Sequence, residues 1–292
     1  MQNTKVAVVQ AAPILFDVSK TINKLELLTK EAAEAGAQLV LFPETFISVY
    51  PRGLSFGTVV GSRSKDGRAT WLRYWESAIA VPSPAADRIS NIAKKNKIYL
   101  VVGITEQSLE GGTLYCSLLY YDPNGTLIGQ HRKVMPTAAE RIIWGQGDGA
   151  DIKVYPTSFG KIGGLICWEN YMPMARMQLY QQGVEIYLAP TADSRDNWVA
   201  SMKHIALEGR CYVLSCNQFV KKEQYPTDLP GIEDLDNQPG IMCRGGSMIV
   251  DPLGNILAGP LYGTEGILYA DINRAEVLRS KLDFDVVGHY KF

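Results

Sequence analysis

The sequence predicts an α/β fold in which stacked sheets are covered by helices. Three observations point there. The composition, 46% hydrophobic and 20% charged over 292 residues, can fill a large buried core. Short apolar runs rich in β-branched residues alternate with helical stretches, and this mixture recurs in both halves of the chain. No internal repeat at a solenoid period competes with that reading. The length is compatible with one domain spanning residues 1–292.

Taken in order, Val6 to Val9 form a first strand, and a helical pattern from Lys20 to Ala35 stops at Gly36. The run 38–42 reads as a buried strand, 85–95 as a helix, 98–104 as a strand, and 114–121 as another strand after the Gly111-Gly112 turn. Asn124-Gly125 marks a hairpin into 126–130. In the second half, 161–166, 185–189 and 212–215 read as strands, with helices over 174–182 and 198–208. Three prolines and many acids between Lys221 and Gly240 read as a long, mobile surface loop near the site. Beyond it, 246–250, 255–257 and 266–270 look like short strands and 274–282 like a helix.

Charge and composition exclude several classes. Twenty-nine basic residues against thirty acidic ones, with no run of one sign, argue against a nucleic-acid partner. No stretch of 18 apolar residues suggests a membrane span, and the N-terminus lacks a leader-like pattern, so a soluble cytoplasmic protein is expected. Five cysteines without C-x-x-C spacing do not suggest a disulfide framework. The three histidines, His131, His204 and His289, are not at metal-ligand spacing from one another, which speaks against a zinc hydrolase. Gly145, Gly147 and Gly149 lack dinucleotide-binding spacing and read as a flexible loop near a pocket mouth.

Reactive residue types follow strand-like runs at three places: Glu44 after LVLFP, Lys133 after TLIGQHR, and Cys167 after KIGGLI. Cys167 sits where paired glycines would carry the chain sharply into a turn whose free backbone N–H groups favour thiolate. Glu44, at an apolar strand end, would have its pKa raised toward that of a general base. Lys133 would place a cation where negative charge develops in a transition state. Each residue alone has a plainer reading: a buried small hydrophobe, a solvated loop acid, a surface lysine.

The stretches FPETFISVYPRG (42–53), HRKVMPTAAERIIWGQGDG (131–149) and GLICWENYMPMARMQLYQQG (164–183) resemble the nitrilase branch of the carbon–nitrogen hydrolase superfamily. HIALEGRCYVLSCNQF (204–219) and DFDVVGHY (283–290) extend the resemblance over nearly the whole chain. The resemblance implies a catalytic triad of Glu44, Lys133 and Cys167, with Glu140 as a second glutamate that orients Lys133 or substrate. It also implies a four-layer αββα sandwich that dimerises to αββααββα, with residues 283–292 opening a C-terminal extension used in assembly. Trp168, Glu169, Tyr171 and Tyr50 are the expected substrate-binding residues, although Glu169 could instead cap backbone N–H groups. The implied reaction is hydrolysis of an organic nitrile through a thioimidate and a thioester on Cys167, with no metal or organic cofactor. An amidase, or a cyanide hydratase or dihydratase, would use the same triad.

Overall fold

A computed structural model describes residues 3–291. Met1, Gln2 and Phe292, the last belonging to the expected C-terminal extension, lie outside the described residues. The first half runs β1 (Thr4–Gln10), α1 (Val18–Glu34), β2 (Leu39–Leu41), a small hairpin of β3 (Thr58–Val59) and β4 (Ser62–Arg63), α2 (Lys65–Glu76), β5 (Ile79–Ala80), α3 (Pro84–Asn96), β6 (Tyr99–Gln107), β7 (Leu114–Tyr121) and β8 (Leu127–Arg132). The second half runs β9 (Tyr155–Thr157), β10 (Gly160–Gly164), α4 (Pro173–Gln181), β11 (Ile186–Pro190), α5 (Asp196–Gly209), β12 (Tyr212–Cys216), β13 (Phe219–Lys221), β14 (Ile241–Val250), β15 (Ile256–Tyr262), β16 (Gly266–Ile272) and α6 (Arg274–Ser280).

Two sheets result. One has the order β16-β1-β2-β6-β7-β8 with β5 added to β6, and the other β13-β14-β12-β11-β10-β9 with β15 added to β14. β1, β2 and β6 are parallel, as are β10, β11 and β12, and antiparallel strands flank both groups.

Alternation along the strands decides the layering, because successive side chains point to opposite faces. Val6 and Val8 of β1 join Leu39, Leu41, Leu188 and Leu214 in a core between the sheets. Ala7, Val9 and Val40 face the other way, onto Ile22 and Leu25 of α1 and Ile89 and Ile92 of α3. In the second sheet, Tyr187 and Ala189 point outward onto Leu179 of α4 and onto Trp198, Met202 and Ile205 of α5. Helices therefore flank the paired sheets on both outer faces, the αββα layering that the resemblance implies.

Local chemistry sets the helix ends. Asp17 caps α1 by accepting the Lys20 N–H at 2.9 Å. Ser83 caps α3, Pro84 occupies its first turn, and Lys97 ends it in a left-handed conformation.

Two segments differ from the sequence reading. The sequence reading assigns no element between the strand at 38–42 and the helix at 85–95, yet α2 lies there, capped by Ser64, whose Oγ accepts the Gly67 N–H at 2.9 Å. Tyr74 is fully buried and Trp71 and Trp75 pack half-buried beside it, a short apolar stripe that follows a charged, glycine-rich stretch and so is easily passed over. The 221–240 segment is tied down: Tyr225, Leu229 and Leu235 are buried, and the Lys222 ammonium donates to the carbonyls of Leu235, Asp236 and Gln238. The Tyr225 hydroxyl donates to the Arg52 carbonyl at 2.9 Å, docking this segment on the one that follows Glu44.

Gly103 in β6 lets that region close. A Cβ there would lie 2.2 Å from the Pro43 carbonyl oxygen and 2.8 Å from Glu44 Cα. Gly103→Ala is expected to destabilise the protein by about 1–3 kcal/mol, the usual cost of overpacking. The check is a lower urea midpoint at unchanged slope.

Candidate active site

Strand ends converge here from the two sheets, two of them parallel strands and one, β8, an antiparallel edge strand. Glu44 follows β2 and Lys133 follows β8 in the first sheet; Cys167 follows β10 in the second. All three are buried, with Lys133 at 0%, Glu44 at 1% and Cys167 at 4% exposure. Cys167 opens a 3-10 turn over Cys167–Tyr171 and takes φ 51°, a left-handed value that costs a side-chain-bearing residue energy. The paired glycines do not make this turn. They stay in β10, and a Cβ on Gly164 would meet the Leu188 carbonyl oxygen at 2.2 Å, so the missing side chain admits β11 instead.

The Lys133 ammonium is the hub. Its Nζ donates to Glu44 Oε1 and to Glu140 Oε2, each at 2.7 Å. Glu140 Oε1 accepts the Tyr50 hydroxyl at 2.7 Å, and its Oε2 also accepts the Thr137 N–H at 2.6 Å. The Cys116 thiol lies 3.5 Å from Glu44 Oε1 as a weak donor, whereas Glu44 Oε2 is buried with no hydrogen-bond partner among the described residues. Thr191, after β11, donates to Cys167 Sγ at 3.2 Å.

Burial raises the Glu44 pKa; Lys133 opposes that rise and Glu140 reinforces it. Burial also works against the charge on Lys133, yet Glu44, Cys167 and their neighbours keep it well above the ordinary lysine value, so the ammonium persists. The thiolate expectation fails. Burial, then the negative charge of Glu44, pushes the Cys167 thiol up to about 12 against the pull of Lys133. At rest Cys167 is a thiol, and its proton must leave as a bond forms.

A pocket of about 180 Å³ opens onto Cys167, with Tyr50, Arg52, Glu140, Trp168 and Asp193 among its walls. Two of the expected substrate-binding residues, Tyr50 and Trp168, line this pocket. The Trp168 indole N–H donates to Asp193 Oδ2 at 2.9 Å, and the Arg195 guanidinium lies 4.9 Å from its ring centroid while pairing with the same Asp193.

Two expected binding residues are placed elsewhere. Tyr171 stands behind Trp168, its ring edge-on to both Trp168 and Trp198 at 5.8 Å, and does not reach the pocket wall. Glu169 is fully buried and its oxygens are committed: Oε1 accepts the Val134 N–H at 2.6 Å, Oε2 the Ile166 N–H at 2.7 Å, and His131 Nε2 lies 2.9 Å from Oε2. Backbone capping, the alternative for Glu169, is what the structure has. The 145–149 segment lines a different pocket from that of Cys167, beside Arg132 and Asp151, and the Gly147 N–H donates to the Lys133 carbonyl at 2.9 Å.

Arg52, Thr191, Asp193 and Arg195 were not singled out in the sequence. A signal existed for two of them, since Thr191 and Asp193 follow the apolar run IYLAP just as Glu44 and Cys167 follow theirs. Among the described residues, no cluster of three or more His, Cys, Asp or Glu side chains is placed to hold a metal ion, and no helix is long and apolar enough to cross a membrane.

Residues 5–281 match the carbon-nitrogen hydrolase family model. The chain is 53% identical over 290 residues to the bifunctional nitrilase/nitrile hydratase NIT4B of Nicotiana tabacum, covering 98% of this chain and 82% of that protein. It is 47% identical over 290 residues to an aliphatic nitrilase of Sinorhizobium fredii, covering 99% and 93%. The crystal structure of Saccharomyces cerevisiae Nit3, a member of branch 10 of the nitrilase superfamily, superposes with a TM-score of 0.75 at 23% identity, over 100% of this chain and 97% of that one. At that identity the likeness concerns the fold alone.

Proposed function

The chain belongs to the carbon–nitrogen hydrolase family, and from that premise we propose that it is a nitrilase that converts an organic nitrile to the carboxylic acid and ammonia. The observation that carries this reading is one ammonium, Lys133, held between two buried carboxylates beside a buried thiol. Relatives named as nitrilases at about half identity supply the substrate class.

Sγ of Cys167 attacks the nitrile carbon while its proton passes to Glu44, whose unpartnered Oε2 has acceptor capacity to spare. The proton is delivered on to the nitrogen, giving a thioimidate, and Lys133 stabilises charge as it builds there. Of the turn amides that follow Cys167, that of Glu169 is already donated to the Ile166 carbonyl at 3.1 Å, which leaves that of Trp168 to assist. Water deprotonated by Glu44 then adds to the thioimidate carbon. Loss of ammonia leaves a thioester, and a second water releases the acid and restores the thiol. Glu140 holds Lys133 in register, and Tyr50 holds Glu140.

Self-association to a dimer and beyond is part of the same reading, with the residues past the family match contributing. Within the expected extension, 283–292, Tyr290 is 55% exposed, apolar surface available for burial, and Leu282 just before it is 87% exposed. A cytoplasmic location is supported by five buried cysteines, all free.

Ammonia release from a panel of aliphatic, aromatic and arylacetonitriles, with amides and cyanide alongside, tests the function. Acid and ammonia are expected from at least one organic nitrile. Turnover confined to amides or to cyanide would replace this reading with one of its two alternatives.

A further inference from the structure

We propose that Glu169, held by His131 and Asp151, is a positioning residue that sets the separation of the Lys133 ammonium and the Cys167 sulfur. This rests on reading Cys167 as the nucleophile. The two backbone N–H groups that Glu169 accepts belong to Val134, next after Lys133, and Ile166, next before Cys167. One carboxylate therefore joins the strand end of the first sheet that presents the cation to the strand end of the second that presents the thiol.

The carboxylate is itself fixed. His131 places Nε2 2.9 Å from Glu169 Oε2 and Nδ1 2.7 Å from Asp151 Oδ1. Asp151 Oδ2 accepts the Arg132 N–H at 2.8 Å, so the line Asp151, His131, Glu169 starts and ends on the segment that carries Lys133. Burial works against charge on the imidazole, but the two carboxylates outweigh it and push His131 up to about 10. Both ring nitrogens then carry protons, and neither contact needs a particular tautomer. Glu169 and His131 are almost entirely removed from solvent and do not line the pocket, so no substrate contact accounts for a buried chain of two carboxylates and an imidazolium.

The arrangement has a consequence that simple structural support does not share. The groups acting on the Cys167 sulfur are Glu44 and Glu140, which hold its proton on, Lys133, which draws it off, and the Thr191 hydroxyl. If the tie between Val134 and Ile166 slackens, Lys133 stays with its two carboxylates, and it is Cys167 that loses the cation. The thiol of a folded variant becomes less reactive. A change that merely loosens the fold does the opposite, because it exposes all five buried cysteines to reagent.

Alkylation by iodoacetamide at pH 8, located by peptide mass spectrometry, separates the two, with kcat and KM for a nitrile measured on the same samples. Glu169→Gln and His131→Gln are expected to slow labelling of Cys167 about tenfold with the other four cysteines unlabelled. They are expected to lower kcat about 10- to 100-fold while KM stays within about twofold. Asp151→Asn, at the more exposed end of the line, is expected to shift both in the same direction by less, and it decides the matter if the buried variants do not fold. Wild-type labelling rates at Cys167 in these variants, or faster labelling spread over all five cysteines, would overturn the proposal. A wild type labelled at Cys167 that turns over no nitrile would undo the proposed function and leave the clamp standing.

Discussion

Cys167→Ala is expected to reduce turnover to background, a loss of roughly 10⁵- to 10⁶-fold, the scale on which removing a covalent nucleophile acts. No neighbouring group can substitute: the Thr191 hydroxyl donates to the sulfur, and the other thiol near Glu44, Cys116, is directed at the wrong oxygen, Oε1. The fold should survive. The variant loses one buried sulfur and keeps the strained φ, a cost of about 1–2 kcal/mol that a protein of this size tolerates. Ammonia release beside a thermal melt reads both quantities. Turnover within about tenfold of wild type would remove Cys167 from the reaction.

Lys133→Met should damage stability and catalysis together. Methionine fills the volume but leaves Glu44 and Glu140, which had shared one ammonium, as adjacent buried carboxylates without a counter-charge. Breaking such a pair costs about 3–5 kcal/mol, and turnover should fall at least about 10³-fold with the loss of transition-state charge stabilisation. The direction with pH follows from linkage. Glu44 already has a raised pKa in the folded protein, and without Lys133, the main opposing influence, it rises further. A carboxyl whose folded pKa exceeds its unfolded one binds more protons folded than unfolded across that interval, so stability falls as pH rises through it. The variant should therefore lie closest to wild type near pH 5 and fall increasingly below it toward pH 8. Urea midpoints at both values test this; a gap that narrows with rising pH would contradict the assignment of the lost charge.

The elements most legible in the sequence were those whose signal is local. β7 was placed to the residue, and α1 and α3 to within two, because their apolar periods and flanking breakers are self-contained. α2 escaped because its apolar stripe of Trp71, Tyr74 and Trp75 is short and follows a charged, glycine-rich stretch, and the order in 221–240 escaped because its anchors, Tyr225, Leu229 and Leu235, are irregularly spaced among acids and prolines. For the site, strand ends exposed Glu44, Lys133 and Cys167 as candidates, and the family stretches added Glu140. What no pattern could supply was direction. Glu169 and Tyr171 stand beside Cys167 in sequence but turn away from the pocket, whereas Arg52 and Asp193 reach it from distant segments. The protonation of Cys167 was likewise misread, because it depends on burial and on the Glu44 charge, both set by tertiary structure.

The first sheet supplies Glu44 and Lys133, and the second supplies Cys167 and Thr191; Gln218 reaches back from the second to donate to the Glu44 carbonyl at 2.9 Å. The proposed triad thus spans the seam of the sandwich. A slip of one leaf past the other by an ångström would silence the enzyme with every strand, helix and hydrogen-bonded ladder intact. Catalytic rate is in this sense a gauge of alignment between the two leaves, finer than any spectroscopic measure of secondary structure.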